Sequence, residues 1–375
     1  MSDRFPELDP VGPAVDGLAV PDMTVLTRIA AEAEATDTRG VPRETIDALA
    51  GAGLLGTALA PAAQRELTEL IAGCDATTWF CWAQHQTPLK TLEGAIAGLR
   101  EPAPGTLVDE LVPGLRSGRR LGAVAFAHVR RPGPANPVAT RVDGGWRLDG
   151  TLDWVTSWDI ADVVMVMAQG APPHDDVLVC AYLPAGRSGV QTPGLAAGAP
   201  LDLLAMSGTH TRPVTLDGVV VPDTSIGAVV DRSDWLAADA IRTADANPAA
   251  FGVARGALAE LQSIADRRAD VLIAGTVAAL VRECRDVRTR AYALMDEGGA
   301  RPERLALRAR SLDLAVQATT AVVVARAGAA MRRGQATERR AREAMFLLVQ
   351  AQTADTRAAS LALLADRAPS GSDVA

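Results

Sequence analysis

"GGWRLDGTLDWVTSWDIADVVMVMA", residues 144–168, is the clearest part of a region in which this chain changes character. Residues up to about 118 recur at helical spacing, whereas here apolar and polar residues alternate as in a half-buried strand. Asp143-Gly144 and Asp149-Gly150 supply turn chemistry and predict two tight hairpins. "ADVVMVMAQ" then reads as a strand buried on both faces. Between them, Trp154 and Trp158 bracket Val155, Thr156 and Ser157 in a chain whose aromatic content is only 3%. A pair of indoles so placed suits two uses, a plug in the core or the wall of a cofactor pocket, and the residues alone leave both open.

Outward from that stretch, the strand texture runs from about 119 to 230. "DVLVCAYLP" (176–184) and "RPVTLDGVVVP" (212–222) add further strands, and six to eight short strands predict a small barrel or sandwich. Upstream, 24–37, 42–56, 63–74, 75–89 and 104–118 carry helical periodicity, preceded by a Pro-, Gly- and Asp-rich lead-in that reads as a loose arm. Downstream, four long helical segments with short links predict an antiparallel four-helix bundle, the last running from 337 to 366. The fold class expected is α+β. An N-terminal arm and helical domain (1–118) leads to a middle β-domain (119–230). A C-terminal bundle (231–366) and a disordered tail (367–375) follow.

Composition narrows the classes of function. At 375 residues and 48% hydrophobic, the chain has ample material for a core of Ala, Leu and Val. A net charge of -8 argues against a nucleic-acid surface, and paired arginines such as Arg267-Arg268 read as solvated helix faces. Four scattered cysteines and four scattered histidines predict no metal site and reduced thiols. The absence of an apolar leader and of a long apolar run predicts a soluble cytoplasmic protein without a membrane partner.

The order of helices, β-domain and bundle, with the residues at its joints, resembles the acyl-CoA dehydrogenase superfamily. Four stretches carry the resemblance, in the family's order. "ETIDALAGAGLLG" resembles a helix ending in an Ala-Gly-Leu turn, and "GGWRLDGTLDWVTSWDIADVVMVMA" resembles strands in which Trp-Ile/Val-Thr-Asn/Ser follows Leu-x-Gly. "AMSGTHTRPVTLDGVVVPDTSIG" resembles the strand pair ending in Val-Pro, and "TERRAREAMFLLVQAQT" the late helix with Arg-Asp-Ala. The resemblance implies FAD held between β-domain and bundle, an acyl-thioester substrate, and a homodimer or homotetramer.

Carried over residue by residue, Trp154 flanks the flavin ring and Thr156 reaches its N5 edge with Ser157 beside it. The upstream strand contributes Phe126, Ala127, His128 and Val129, and the late helix contributes Thr353. Such a site needs a flat apolar face and a few edge donors. Departures from the pattern are equally specific. His128 and Val129 stand at the family's Leu and Thr positions, and Ala135 stands where a phosphate-binding Ser is usual. The family's glutamate base has no counterpart. Nine residues before Arg342, where the resemblance implies the base, stands Arg333, and the alternative position carries Arg242; neither guanidinium can accept a proton. Asp245, about one helical turn away, is the carboxylate candidate for that role, and His128 the second catalytic candidate. The dinucleotide-gripping Arg-x-x-Phe-Gly segment is also missing. The cofactor expected is therefore FAD, with FMN, reduced flavin supplied by a reductase, or none left open. Three functions follow: a flavin oxidoreductase acting on an acyl thioester or related carbonyl compound, a two-component monooxygenase, or a degenerate non-redox binding homologue.

Overall fold

The computed structural model describes residues 5–14, 23–56, 59–94 and 105–366. The tail at 367–375 and residues 1–4 and 15–22 of the lead-in lie outside them. Five helices come first: α1 (Met23–Arg39), α2 (Arg43–Gly51), α3 (Pro61–Cys74), α4 (Ala76–Leu92) and α5 (Gly105–Arg116). Eight strands follow: β1 (Gly122–Ala125), β2 (Val138–Val142), β3 (Gly145–Val155), β4 (Val163–Gly170), β5 (Val177–Pro184), β6 (Leu195–Ala197), β7 (Arg212–Pro222) and β8 (Ile226–Asp231). The remainder is helical: α6 (Arg232–Arg242), α7 (Pro248–Arg268), α8 (Val271–Glu297), α9 (Arg301–Arg326), α10 (Ala336–Leu347) and α11 (Ala354–Ala365). Residue contacts group these into two compact units. One joins residues 1–35 and 59–76 to 240–375, and the other joins 36–58 to 77–239.

The strand-bearing unit is built on a mixed sheet ordered β6-β7-β3-β2-β4-β5-β8, with β1 parallel to the first half of β4. Its two longest apolar runs are explained by two cores. Val164, Val166, Ala168, Val179, Ala181 and Leu183 face an inner core shared with Leu148, Leu152, Val155 and Val214. Val163, Met165, Met167, Leu178, Cys180 and Tyr182 face the opposite way, onto Leu89, Leu107, Leu111 and Leu115 of the helices. Strands covered on both faces have no polar side to alternate.

The two Asp-Gly pairs fare differently. Asp143-Gly144 is the predicted turn, with Val142 opposite Gly145. Asp149-Gly150 is not a turn, because β3 runs straight through it. Gly150 adopts φ 137° at a register shift against β7. A Cβ there would lie 2.2 Å from Asn136 Oδ1, and the Asp149 carboxylate accepts the Gly218 N–H instead of turning the chain. The pair makes a bulge in which glycine is required by both φ and space.

His85 on α4 is a structural bridge. Its Nε2 donates to the Leu115 carbonyl at 3.1 Å and its Nδ1 accepts the Gly122 N–H at 3.0 Å, so one neutral tautomer ties α5 to the start of β1. Burial pushes its pKa down to about 4, against a smaller opposing effect of the Leu115 bond. The folded pKa lies below the unfolded value of about 6.5. The stabilisation is therefore complete above pH ~6.5 and is lost as pH falls toward 4, by roughly 3 kcal/mol. Denaturant titrations of wild type between pH 7 and 4 should show that slope, and His85→Leu, less stable at pH 7, should lack it. Equal slopes would reject the assignment.

In the helical unit, α7, α8 and α9 pack on one another, with α10 and α11 against α9. Asn247 caps α7 and Asp270 caps α8, each accepting backbone N–H groups. The predicted single helix over 337–366 is instead two. Ala351 takes a left-handed φ of 51°, and Thr353 starts α11 through reciprocal bonds with Thr356. One window of the Arg301–Met331 stretch is apolar enough to cross a membrane by length and composition, with mean hydropathy 1.4. Leu307, Leu312, Leu314, Ala315, Ala318 and Val322 of that stretch are nevertheless buried within the unit.

The lead-in is not loose where it is described. Phe5 is buried, Arg285 donates to the carbonyls of Pro10 and Val11, and Arg288 donates to those of Gly12 and Pro13. Asp9 joins a buried ionic cluster in which Arg255 also meets Glu66 at 2.8 Å and Glu69 at 2.6 Å. Burial raises the Glu69 pKa, and Tyr292 donates its hydroxyl to the same carboxylate at 2.5 Å.

Candidate functional site

The end of β3 separates the two tryptophans. Trp158 is buried in the inner core, whereas Trp154 leaves 49% of its surface exposed. One indole is thus the plug and the other a bare flat face. Alternation explains the difference. Val155 points inward from β3, so Trp154 points out, and the chain then leaves the strand at Ser157 in a left-handed conformation with φ 66°.

That turn is held tightly. Ser157 N–H donates to the Thr209 carbonyl at 2.8 Å and Trp158 N–H to that of His210 at 3.1 Å. Met206 and His210, at the ends of the opposing segment, are left-handed as well, at φ 65° and 53°. Left-handed non-glycine residues are costly, and three facing one another mark a backbone over-determined by its surroundings. Asp162 closes the loop as a hub, accepting the Leu121 N–H at 2.7 Å, Arg43 at 2.9 Å and Arg187 at 2.8 Å.

Inside the turn, the Thr156 hydroxyl lies 3.1 Å from that of Thr211, which lies 2.7 Å from that of Thr209. Ser157 Oγ is buried with no hydrogen-bond partner. The turn thus holds an unsatisfied hydroxyl three residues from an uncovered indole, the two kinds of group that a ligand with polar edge atoms and a flat apolar face, as the isoalloxazine of a flavin has, would need.

The segment after β1 is more occupied. Phe126 packs edge-on against Trp235, and Arg130 lies over Phe126 while pairing with Asp239 at 2.7 and 2.8 Å. Val129 is buried, and Ala127 is exposed. His128 Nε2 donates to the Met167 carbonyl at 2.5 Å. Burial lowers its pKa, with Arg131 acting in the same direction, so the neutral ring keeps Nδ1 as an acceptor. Arg131 pairs with Asp153, which ties this segment to the Trp154 end of β3. Phe126, His128, Trp154, Thr156 and Ser157 therefore share one unit and one neighbourhood.

Asp245 and Thr353 belong to the helical unit. Asp245 is half-buried and pairs with Arg304 at 2.6 Å, and its backbone carbonyl accepts from Arg308. Burial raises its pKa while Arg304 opposes the rise. The Thr353 hydroxyl serves the α11 cap. Thr209 and Thr211 escaped the sequence reading. They lie in the stretch that resembles the strand pair ending in Val-Pro, but only the fold brings them to Thr156, which Thr211 follows by 55 residues.

Butyryl-CoA dehydrogenase from Megasphaera elsdenii matches 93% of this chain and 100% of its own, with a TM-score of 0.67 at 17% identity. The chain has the acyl-CoA dehydrogenase fold. A glutaryl-CoA dehydrogenase from Mycobacterium smegmatis, solved in complex with FADH2, shares this fold at a TM-score of 0.68 and 18% identity, over 92% of this chain and 95% of its own. Among curated proteins, benzylmalonyl-CoA dehydrogenase from Aromatoleum aromaticum is 26% identical over 211 residues, 52% of each chain. The chain thus spans about half the length of the curated relative it matches. No family model matches the sequence. Within the acyl-CoA dehydrogenase fold, the strand-bearing unit carries the Trp154–Ser157 turn described above.

Proposed function

We propose that this chain is a flavin-dependent oxidoreductase acting on an acyl thioester or related carbonyl compound, without the glutamate base usual on this fold. The observation that carries the reading is the pairing of an exposed Trp154 indole with the buried Thr156 and orphaned Ser157 hydroxyls. FAD, or FMN in its place, would supply hydride transfer at N5. Trp154 would cover the ring and Thr156 would meet the N5 edge. Backbone groups of Ala127 and its neighbours would meet the polar edge, since the Phe126 and His128 side chains are engaged elsewhere. His128 Nδ1 and the Asp245 carboxylate are the candidate proton acceptors.

A second reading is favoured by the engagement of Asp245 with Arg304. A two-component monooxygenase, supplied with reduced flavin by a reductase, needs no carboxylate to remove an α-proton. Exposed Val271, Leu272, Val324, Val349 and Leu361 on the helical unit support assembly as a homodimer or homotetramer.

The test is anaerobic titration with oxidised and dithionite-reduced FAD and FMN, read by flavin absorbance and tryptophan quenching. Trp154→Ala should weaken binding about tenfold, and Thr156→Ala about fivefold. Thermal stability of Trp154→Ala should stay near wild type, since the indole is half exposed. A protein that takes up none of the four forms would sink the flavin reading and leave a non-redox binding homologue. Bleaching of bound flavin by an acyl-CoA would support dehydrogenation, and oxygen-dependent product formation with a reductase would support the second reading.

A further inference from the structure

Three threonine hydroxyls run in single file inward from the end of β3, and their proton order can be worked out. Each hydroxyl has one hydrogen to donate. Thr209 Oγ1 lies 2.7 Å from the Met206 carbonyl, which only accepts, so the Thr209 hydrogen goes there. Thr211 Oγ1, 2.7 Å from Thr209 Oγ1, is then the donor of that pair. With its hydrogen committed, Thr211 accepts from Thr156 across 3.1 Å. Thr156, Thr209 and Thr211 are 5%, 1% and 4% exposed, so water does not compete for these bonds. The left-handed residues at 157, 206 and 210 and the two cross-strand N–H bonds fix both segments. All three hydroxyl hydrogens thus run along the file toward Met206, and the Thr156 oxygen keeps a lone pair and no hydrogen for any further partner.

We propose that this file makes Thr156 an obligate acceptor, so that the site selects reduced flavin, whose N5 carries a hydrogen, over oxidised flavin, whose N5 offers only a lone pair. The proposal rests on the reading of Thr156 as the neighbour of N5. Thr209 and Thr211 are positioning residues here, because they act only through Thr156. Selection of the reduced form suits a chain that receives its flavin already reduced. In a chain that keeps its flavin through turnover, the same selection raises the flavin's midpoint potential.

The test measures dissociation constants for oxidised and dithionite-reduced FAD under argon, and takes their ratio. Wild type should hold the reduced form more tightly by roughly five- to tenfold, the scale of one hydrogen bond. Thr211→Val keeps the shape but removes the acceptor, freeing the Thr156 hydrogen to turn outward, and the ratio should fall to near unity. Thr211→Ser restores a hydroxyl and should restore the ratio, which separates this effect from damage to the fold. An unchanged ratio in a folded Thr211→Val, or a wild type that favours the oxidised form, overturns the proposal while leaving flavin binding intact. Failure of wild type to bind either form overturns it together with the flavin reading beneath it.

Discussion

Arg255→Met should destabilise the helical unit by about 3–5 kcal/mol, the scale found when one partner of a buried ionic group is removed. Arg255 is 1% exposed and holds Asp9 at 2.6 Å, Glu66 at 2.8 Å and Glu69 at 2.6 Å. Methionine fills much of the volume but leaves the carboxylates facing one another, with Arg288 serving only Glu69 at 3.0 Å. Part of the loss should be recovered on lowering the pH toward 5, because the Glu69 pKa, already raised by burial, rises further without its strongest counter-ion. Arg255→Lys keeps the charge without the planar fork and should fall between the two. Urea titrations of the three proteins at pH 7.5 and 5 decide the matter. A loss under ~1 kcal/mol for the methionine variant would show that the cluster relaxes by admitting water.

Gly252→Val should cost more than can be repaired by side-chain rearrangement. A Cβ at 252 would lie 2.3 Å from the Glu69 carbonyl oxygen and 2.9 Å from its Cα, so the obstacle is the α3 backbone itself. The neighbouring turn of α7 is equally close, since a Cβ at Gly256 would lie 2.5 Å from the Gly73 carbonyl. The two helices can accommodate valine only by moving apart, and the expected loss is at least about 3 kcal/mol. Gly275→Ala is the opposite case. It lies in the exposed part of α8 with nothing within 4 Å of the added carbon, and should stabilise by up to ~1 kcal/mol through helix propensity. Thermal melts of both variants test the pair. Equal effects would mean that the α3–α7 crossing is looser than its geometry indicates.

The order of elements was legible because texture changes sharply at about 119 and again near 232, and because β4 and β5 have no polar face to confuse the pattern. Local chemistry misled where distant groups competed for it. Asp149-Gly150 has the composition of a hairpin turn, yet β7 pairs across it and the Gly218 N–H claims the aspartate. The break at Ala351 was hidden by a helix-forming residue in a left-handed conformation. At the candidate site, the Trp154–Ser157 turn announced itself through two tryptophans in an aromatic-poor chain. Which indole was the plug depended on strand phase, and that was settled only by the inward-facing Val155. The supporting role of Thr209 and Thr211 had no local signal, since the stretch that holds them pointed only to a strand pair. Nor did the pairing of Asp245 with Arg304, which lies 59 residues away.

The anchoring of the arm by Arg285 has a consequence for biosynthesis. The carbonyl of Val11 waits for a guanidinium 274 residues further along. At ribosomal speeds of about 5–20 residues per second, that wait is on the order of fifteen to fifty seconds. Phe5, the carboxylates of α3 and the glycine face of Gly73 emerge long before α7 and α8 exist to cover them. The strand-bearing unit, largely contiguous from 77 to 239, has every partner from those residues by the time α6 leaves the tunnel. A nascent chain arrested once α6 has cleared the tunnel should therefore carry a complete sheet and an unpaired acidic N-terminal segment, and chaperones that recognise such a segment would find it available throughout the interval.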